Sequence, residues 1–190
     1  MLKALLCSAL CLSSMPLLAH WQIDNSLSRV NFVSVKKNTI AEVHSFKKVS
    51  GEIEDDGLFE MDIDLTSVES LIPIRNDRMQ EFLFQTKQFP SLKLSADLKD
   101  VLAKTKKGQS AIFNIDATIN LHGVSKAIKT EVLLTHRVTG ELTVASLMPV
   151  IVNAADFGLS AGLDKLQELA GLPSIAQAVP VSFVLTLEKH

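Results

Sequence analysis

The sequence predicts an all-β protein, a closed barrel of about eight antiparallel strands with one or two short helices. Three features carry this reading: apolar and polar residues alternate strictly over several segments, turn signals separate those segments, and one mid-chain stretch changes to helical spacing. At 190 residues, 47% hydrophobic and 21% charged, the chain suits one domain with a sizeable core and is too short for two ordinary ones.

Residues 1–19 read as a secretory signal peptide. A single Lys3 precedes the apolar run Ala4 to Leu12, and Ala19 offers a small residue for cleavage. Pro16 and the short apolar length argue against a membrane span, and Leu10 before Cys11 argues against a lipoprotein site. The expected mature domain is therefore 20–190, exported to an oxidising compartment. Both cysteines, Cys7 and Cys11, fall in the removed part, so the mature chain carries no disulfide and no thiol chemistry. Loss of Lys3 takes the 19 basic residues to 18 against 21 acidic, a formal charge of −3, and no basic stripe suggests a nucleic-acid partner.

In chain order, Trp21 to Asp24 and then Ser28, Val30 and Phe32 begin the first strand, and a second runs from about Ile40 to Val49. After Asp55, Asp56 and Gly57, the segment LFEMDIDL sets Phe59, Met61, Ile63 and Leu65 on one face and Glu60, Asp62 and Asp64 on the other. That acidic face is read as solvated, with no metal assigned.

The stretch Leu71 to Pro90 breaks the pattern. A D-x-x-Q signal from Asp77 to Gln80 predicts a helix start, with Met79, Phe82 and Leu83 on one face and Arg75 and Arg78 flanking the first turn. Such a segment can set aromatic and thioether groups against an apolar interior and hold two guanidinium groups at its mouth, which suits a lipid with a polar head. Alternatively, the arginines pair with Asp77, Glu81 or strand carboxylates, and the aromatics are plain core.

Further strands follow at Leu92 to Asp97, and over AIFNIDATINL, where Phe113, Ile115, Ala117, Ile119 and Leu121 share a face. Lys104 to Gly108 is a basic turn between them. His122 and Gly123 form a tight turn into the strand Ser125 to His136. The arm from Glu141 to Asn153 contains Pro149 and is bulged or at an edge there. Gly162 to Gly171 spaces Leu163, Leu166 and Leu169 as a helix, read as a lid over the barrel end in preference to a docking face, and Pro180 to Lys189 is the last strand.

These residues together resemble the YceI-like family of secreted, lipocalin-like barrels. The likeness covers nearly the whole mature chain. It rests on Trp21, Ile23, Asp24, Ser28, Val30 and Phe32; on Arg75, Asn76, Asp77, Arg78 and Met79 followed by Phe82, Leu83, Phe84, Phe89 and Pro90; on Leu121 to Lys126; and on Asp156, Phe157 and Gly158. The resemblance implies a periplasmic protein whose eight-stranded barrel encloses a long apolar pore for an isoprenoid chain, such as that of a prenyl quinone or polyprenyl phosphate. It also implies a link to a membrane cytochrome b561-type partner. Self-association as a homodimer is compatible with it. Leu27 and Ser28 stand where the family often has His-Ser, and Ala154 and Ala155 where an Arg often precedes the Asp-Phe-Gly, so a head group would be held differently here.

The expected ligand-binding residues are Phe32, Phe59, Ile63, Arg75, Arg78, Met79, Phe82, Phe84, Ile115, Ile119, His122 and Phe157, with a bound isoprenoid lipid and no required cofactor. His122 is otherwise an exposed turn residue. An enzyme is disfavoured, because the histidines at 20, 44, 122, 136 and 190 show no metal-ligand spacing and no G-x-S-x-G is present. A filled barrel that docks a membrane redox partner is the alternative. Finally, cleavage after Ala19 would make His20 the first residue, able to chelate Cu(II) by amine and imidazole if a second histidine converges; none is adjacent in sequence.

Overall fold

The computed structural model describes residues 20–190; the expected signal segment lies outside the described residues. Twelve strand segments occur: β1 (Trp21–Ile23), β2 (Arg29–Lys36), β3 (Ile40–Phe46), β4 (Val49–Ile53), β5 (Leu58–Asp64), β6 (Val68–Glu69), β7 (Ser91–Asp97), β8 (Gln109–Leu121), β9 (Val124–His136), β10 (Leu142–Ser146), β11 (Val150–Asn153) and β12 (Ala178–Lys189). They make eight staves, because four staves are broken in two: β1 with β2, β3 with β4, β5 with β6, and β10 with β11. Every pairing is antiparallel. The ring closes at β12, which pairs β10 and β11 along one edge and β1 and β2 along the other.

Each break has a side chain that takes over strand hydrogen bonds. Between β1 and β2, Ser28 Oγ accepts from Thr186 N at 3.0 Å, and Asp24 Oδ1 accepts from Ser26 N at 2.7 Å. Asn25 spans the β3/β4 break, donating to Lys47 O at 3.0 Å and accepting from Val49 N at 2.7 Å. Asp64 caps the 3₁₀ turn Leu65–Ser67 that parts β5 from β6. At the β10/β11 break, the bulge expected at Pro149, Ser146 Oγ accepts from Phe183 N at 3.1 Å. Alternation then delivers one apolar face inward. Phe59, Met61 and Ile63 on β5 and Ala117, Ile119 and Leu121 on β8 are buried.

Three short helices finish the barrel. α1 (Pro73–Arg78) continues into a π-helical turn over Met79–Leu83, α2 is Lys99–Lys104, and α3 is Ser160–Leu169. The expected start at Asp77 is corrected: the helix begins four residues earlier at Pro73, and Asp77 lies exposed inside it. Proline carries no amide hydrogen to satisfy and already holds a helical φ, so it starts a helix without a capping side chain. Asn76 anchors this start by accepting from Ser70 N at 2.9 Å. Glu69 adds to it, pairing with Lys47, accepting from Asn76 Nδ2 at 3.0 Å and from Leu71 N at 2.7 Å. These bonds, the Lys47 one foremost, hold the Glu69 carboxyl down to about 2.

α2, unforeseen beside the basic turn, packs Val101 and Leu102 against the core at one end of the barrel. At the other end, the π turn and α3 cross each other as a lid. Leu163 is buried and Leu166 packs beside it, so that face is turned to the core and is not a free docking surface. Their close approach depends on Gly162, whose missing Cβ would stand 2.5 Å from Phe82 O and 2.8 Å from Leu83 Cα.

This crossing makes a test in which two effects oppose. Alanine gains about 1 kcal/mol over glycine in a helix, whereas forcing atoms into a packed contact costs about 1–3 kcal/mol. With backbone on the opposing side the clash wins, so Gly162→Ala is expected to lower Tm by about 2–6 °C. A rise in Tm measured by calorimetry would show that the lid is loosely seated.

Candidate functional site

The inward faces do not fill the barrel. A cavity of about 190 Å³ runs from Ile53, Leu98 and Leu187 near one end to Leu159 and Leu163 beneath the lid. Every lining side chain but Thr130 is apolar. Thr130 Oγ1, at mid-barrel, is buried and has no hydrogen-bond partner among the described residues. On β8 the lining from Ile115 to Leu121 covers about 20 Å of strand at ~3.4 Å per residue. The shape is that of a bore for an elongated apolar chain.

Six of the twelve expected residues, Phe32, Phe59, Ile63, Phe84, Ile115 and Ile119, stand on this wall. Met79 and Phe157 are buried in the packing under the lid, behind it. Phe157 sits in the 3₁₀ turn Ala154–Phe157, closed by Gly158 at φ +67. Phe82 is off the wall. In an ideal α-helix it would share a face with Met79, but the wider π turn, in which Phe84 N donates to Met79 O at 2.8 Å, carries Leu83 and Phe84 inward instead. His122 is also off the wall. It takes φ +53 in the β8–β9 turn and lies against Phe89, ring centroids 4.2 Å apart, with Nε2 buried and unpartnered among the described residues.

Neither arginine lines the cavity. Arg75 donates to Glu42 Oε2 at 2.5 Å and to Ser70 O at 2.6 Å, so of the pairings weighed from sequence it makes the one with a strand carboxylate. Lys36 shares that same Glu42 oxygen at 2.5 Å. The Lys36 hydrogen bond foremost, with Arg75 behind it, holds the Glu42 carboxyl below its ordinary range against desolvation. Arg78 donates to Leu169 O at 3.3 Å and ties α1 to the last turn of α3. Lys36 and Arg75 share one carboxylate, and Arg75 Nε is buried without a hydrogen-bond partner among the described residues. The arrangement has a donor to offer an anionic or carbonyl oxygen.

Two side chains with buried polar atoms at or beside the bore, Thr130 and His44, were not among the expected residues. His44 is 3% exposed on β3, opposite Phe32 and edge-on to its ring at 5.3 Å, with Nδ1 unpartnered among the described residues. The signal was in IAEVHSF, where Glu42, His44 and Phe46 alternate onto one face. A polar step thus leads from the charged rim to the aromatic wall. Burial first, then the Arg75 charge, push the imidazole below its ordinary 6.5, with Lys36 adding to this and Glu42 opposing it.

A base whose pKa falls on folding binds more protons when unfolded, so it favours the folded state fully above its unfolded pKa and progressively less below it. Stability is therefore expected to decline as pH drops from about 6.5 to about 5, where carboxylates have yet to titrate. His44→Phe should flatten that slope in denaturant melts taken across this range. An unchanged slope would place the titrating group elsewhere.

The chain matches the family model described as YceI-like domain over residues 21–187. Among solved structures, a polyisoprenoid binding domain from Saccharophagus degradans implicated in plant cell wall breakdown is similar at 35% identity and a TM-score of 0.85, covering 90% of this chain and 98% of that one. Burkholderia cenocepacia BcnA is similar at 17% identity and a TM-score of 0.64, over 86% of this chain and 98% of its own. The Campylobacter jejuni YceI protein follows at 15% and 0.54, over 77% and 84%. The last two show likeness of fold alone. No curated protein sequence matches the chain. A family match across nearly all the described residues, on a closed eight-stave barrel with an apolar bore, places the chain in the YceI-like domain family.

Proposed function

We propose that this protein is a non-enzymatic periplasmic carrier of a long isoprenoid lipid, a prenyl quinone or polyprenyl phosphate, held with its tail in the barrel bore. The observation that carries the reading is the bore itself, apolar along its length and lidded at one end. An unfilled apolar void costs about 24 cal/mol per Å³, so ~190 Å³ represents a penalty of order 4–5 kcal/mol that a bound hydrocarbon relieves. Each CH₂ taken from water adds about 0.8 kcal/mol, or roughly 8 kcal/mol for ten carbons before ordering costs. A similar polyisoprenoid binding domain supports the choice of an isoprenoid chain over a straight one.

The head group would rest at the rim formed by β3, α1 and α3, where Arg75, Arg78 and His44 lie. One charge-assisted hydrogen bond there is worth about 1.5–3 kcal/mol, less than the tail, and sets the direction in which the lipid lies. Leu71 at φ +64 and 86% exposed, Ile72 and Ile74 project beside this rim. That apolar tip favours delivery at a membrane or to a membrane-embedded cytochrome b561-type partner.

Mass spectrometry of lipid extracted from the exported, purified protein without added ligand is the direct test. One prenyl lipid per chain is expected. A barrel that is empty as isolated and refuses added isoprenoids would sink the carrier reading. Ala117→Phe, which puts a ring into the bore from β8, should lower affinity for a prenyl quinone by at least about tenfold while leaving the fold intact by circular dichroism. Unaltered affinity would put the lipid outside the barrel.

A further inference from the structure

The geometry points to a Cu(II) site formed by the mature amino terminus and the last strand, with His20 and His190 as its ligands. His20 and His190 lie 170 positions apart in sequence, and closure of the barrel makes them neighbours. β1 pairs with β12 in the register Trp21↔Lys189, and the ladder runs one step further: His190 N donates to His20 O at 2.9 Å. Directly opposed residues of an antiparallel pair send their side chains to the same side of the sheet. The two imidazoles accordingly stand together, ring centroids 6.0 Å apart.

That separation is the one a shared ion needs. A metal held by an imidazole nitrogen at about 2.0–2.1 Å lies about 3 Å from the ring centroid, so two rings on one ion stand roughly 4–6 Å apart. The pair faces outward, on the side of Gln22 and Glu188, while Trp21 and Lys189 take the other side, where the Lys189 ammonium lies 4.9 Å over the indole. Opposed to each other at the next outward step, Gln22 and Glu188 place a carboxylate near the site, which favours a dication.

The third nitrogen is the amino terminus. Cleavage after Ala19, on which this inference rests, frees the His20 amine, which closes a chelate ring with its own Nδ1 through Cα, Cβ and Cγ. An amine and two imidazoles are borderline donors that suit Cu(II), the tightest binder in the divalent series, in tetragonal geometry. The site sits at the barrel end away from the lid and is independent of the lipid reading.

The test uses the exported protein, with its amino terminus established by intact mass. A chain beginning at His20 should bind one Cu(II) per molecule in a titration, with electron paramagnetic resonance showing nitrogen coupling from three donors. His20→Ala and His190→Ala should each weaken binding by at least about tenfold and reduce the nitrogen count, with circular dichroism confirming that each variant is folded. A mature chain starting at any other residue overturns the proposal. So does His190→Ala binding Cu(II) with unchanged affinity and spectrum, which would leave a chelate of the terminus alone.

Discussion

Closure at β12 is the constraint on which the rest of the structure depends. A single strand of twelve residues carries neighbours on both edges along its length, β11 and then β10 on one side, β2 and then β1 on the other. An open sheet of this size would leave two rows of unpaired amides and carbonyls. Closing it satisfies both and obliges every inward residue to face another. The bends needed to close eight staves fall where Ser28, Asn25, Asp64 and Ser146 can replace lost ladder bonds. Short polar side chains at four breaks are thus part of the same closure.

The bore follows from closure, and the lid from one small residue. Eight staves enclose an interior just wide enough for side chains to fill or for one ligand to enter. Here Ala96 and Ala117 at mid-height leave the centre open, while Ile53, Leu142 and Leu187 seal the end beyond them. At the other end the π turn and α3 can close over the bore because Gly162 lets backbone meet backbone. The π geometry also decides which aromatic reaches the bore: Phe84 does and Phe82 does not.

Charge is kept at the rim and out of the interior. Glu42 holds Lys36 and Arg75, Arg78 is spent on a carbonyl of α3, and His44, pushed towards its neutral form by burial, lies beside the aromatic wall. An uncharged bore and a charged rim would divide the work between the tail and the head of the lipid proposed above. In that reading the tail would supply most of the binding energy and the rim the orientation, since a buried apolar chain outweighs one hydrogen bond severalfold.

Period-two alternation was enough to read the strands, their inward faces and the eight-stave barrel, because each strand residue's face is set by its neighbours in sequence. Five of the six expected ligand-binding residues on the bore, Phe32, Phe59, Ile63, Ile115 and Ile119, reach it for that reason; Phe84 comes from the π turn. Where the period is helical the local signals mislead: the D-x-x-Q pattern points to Asp77 whereas the helix starts at Pro73, and the three- and four-residue spacing of Phe82 and Leu83 from Met79 does not distinguish an α turn from the π turn that crosses α3. His44 was legible in the alternation of β3 and was overlooked. What the sequence alone determined is which residues point in. Which of them leave a space, where Arg75 finds its carboxylate and that His20 meets His190 were decided only in the tertiary structure. Those relations join residues far apart in the chain, and no local periodicity encodes a distance across a closed sheet.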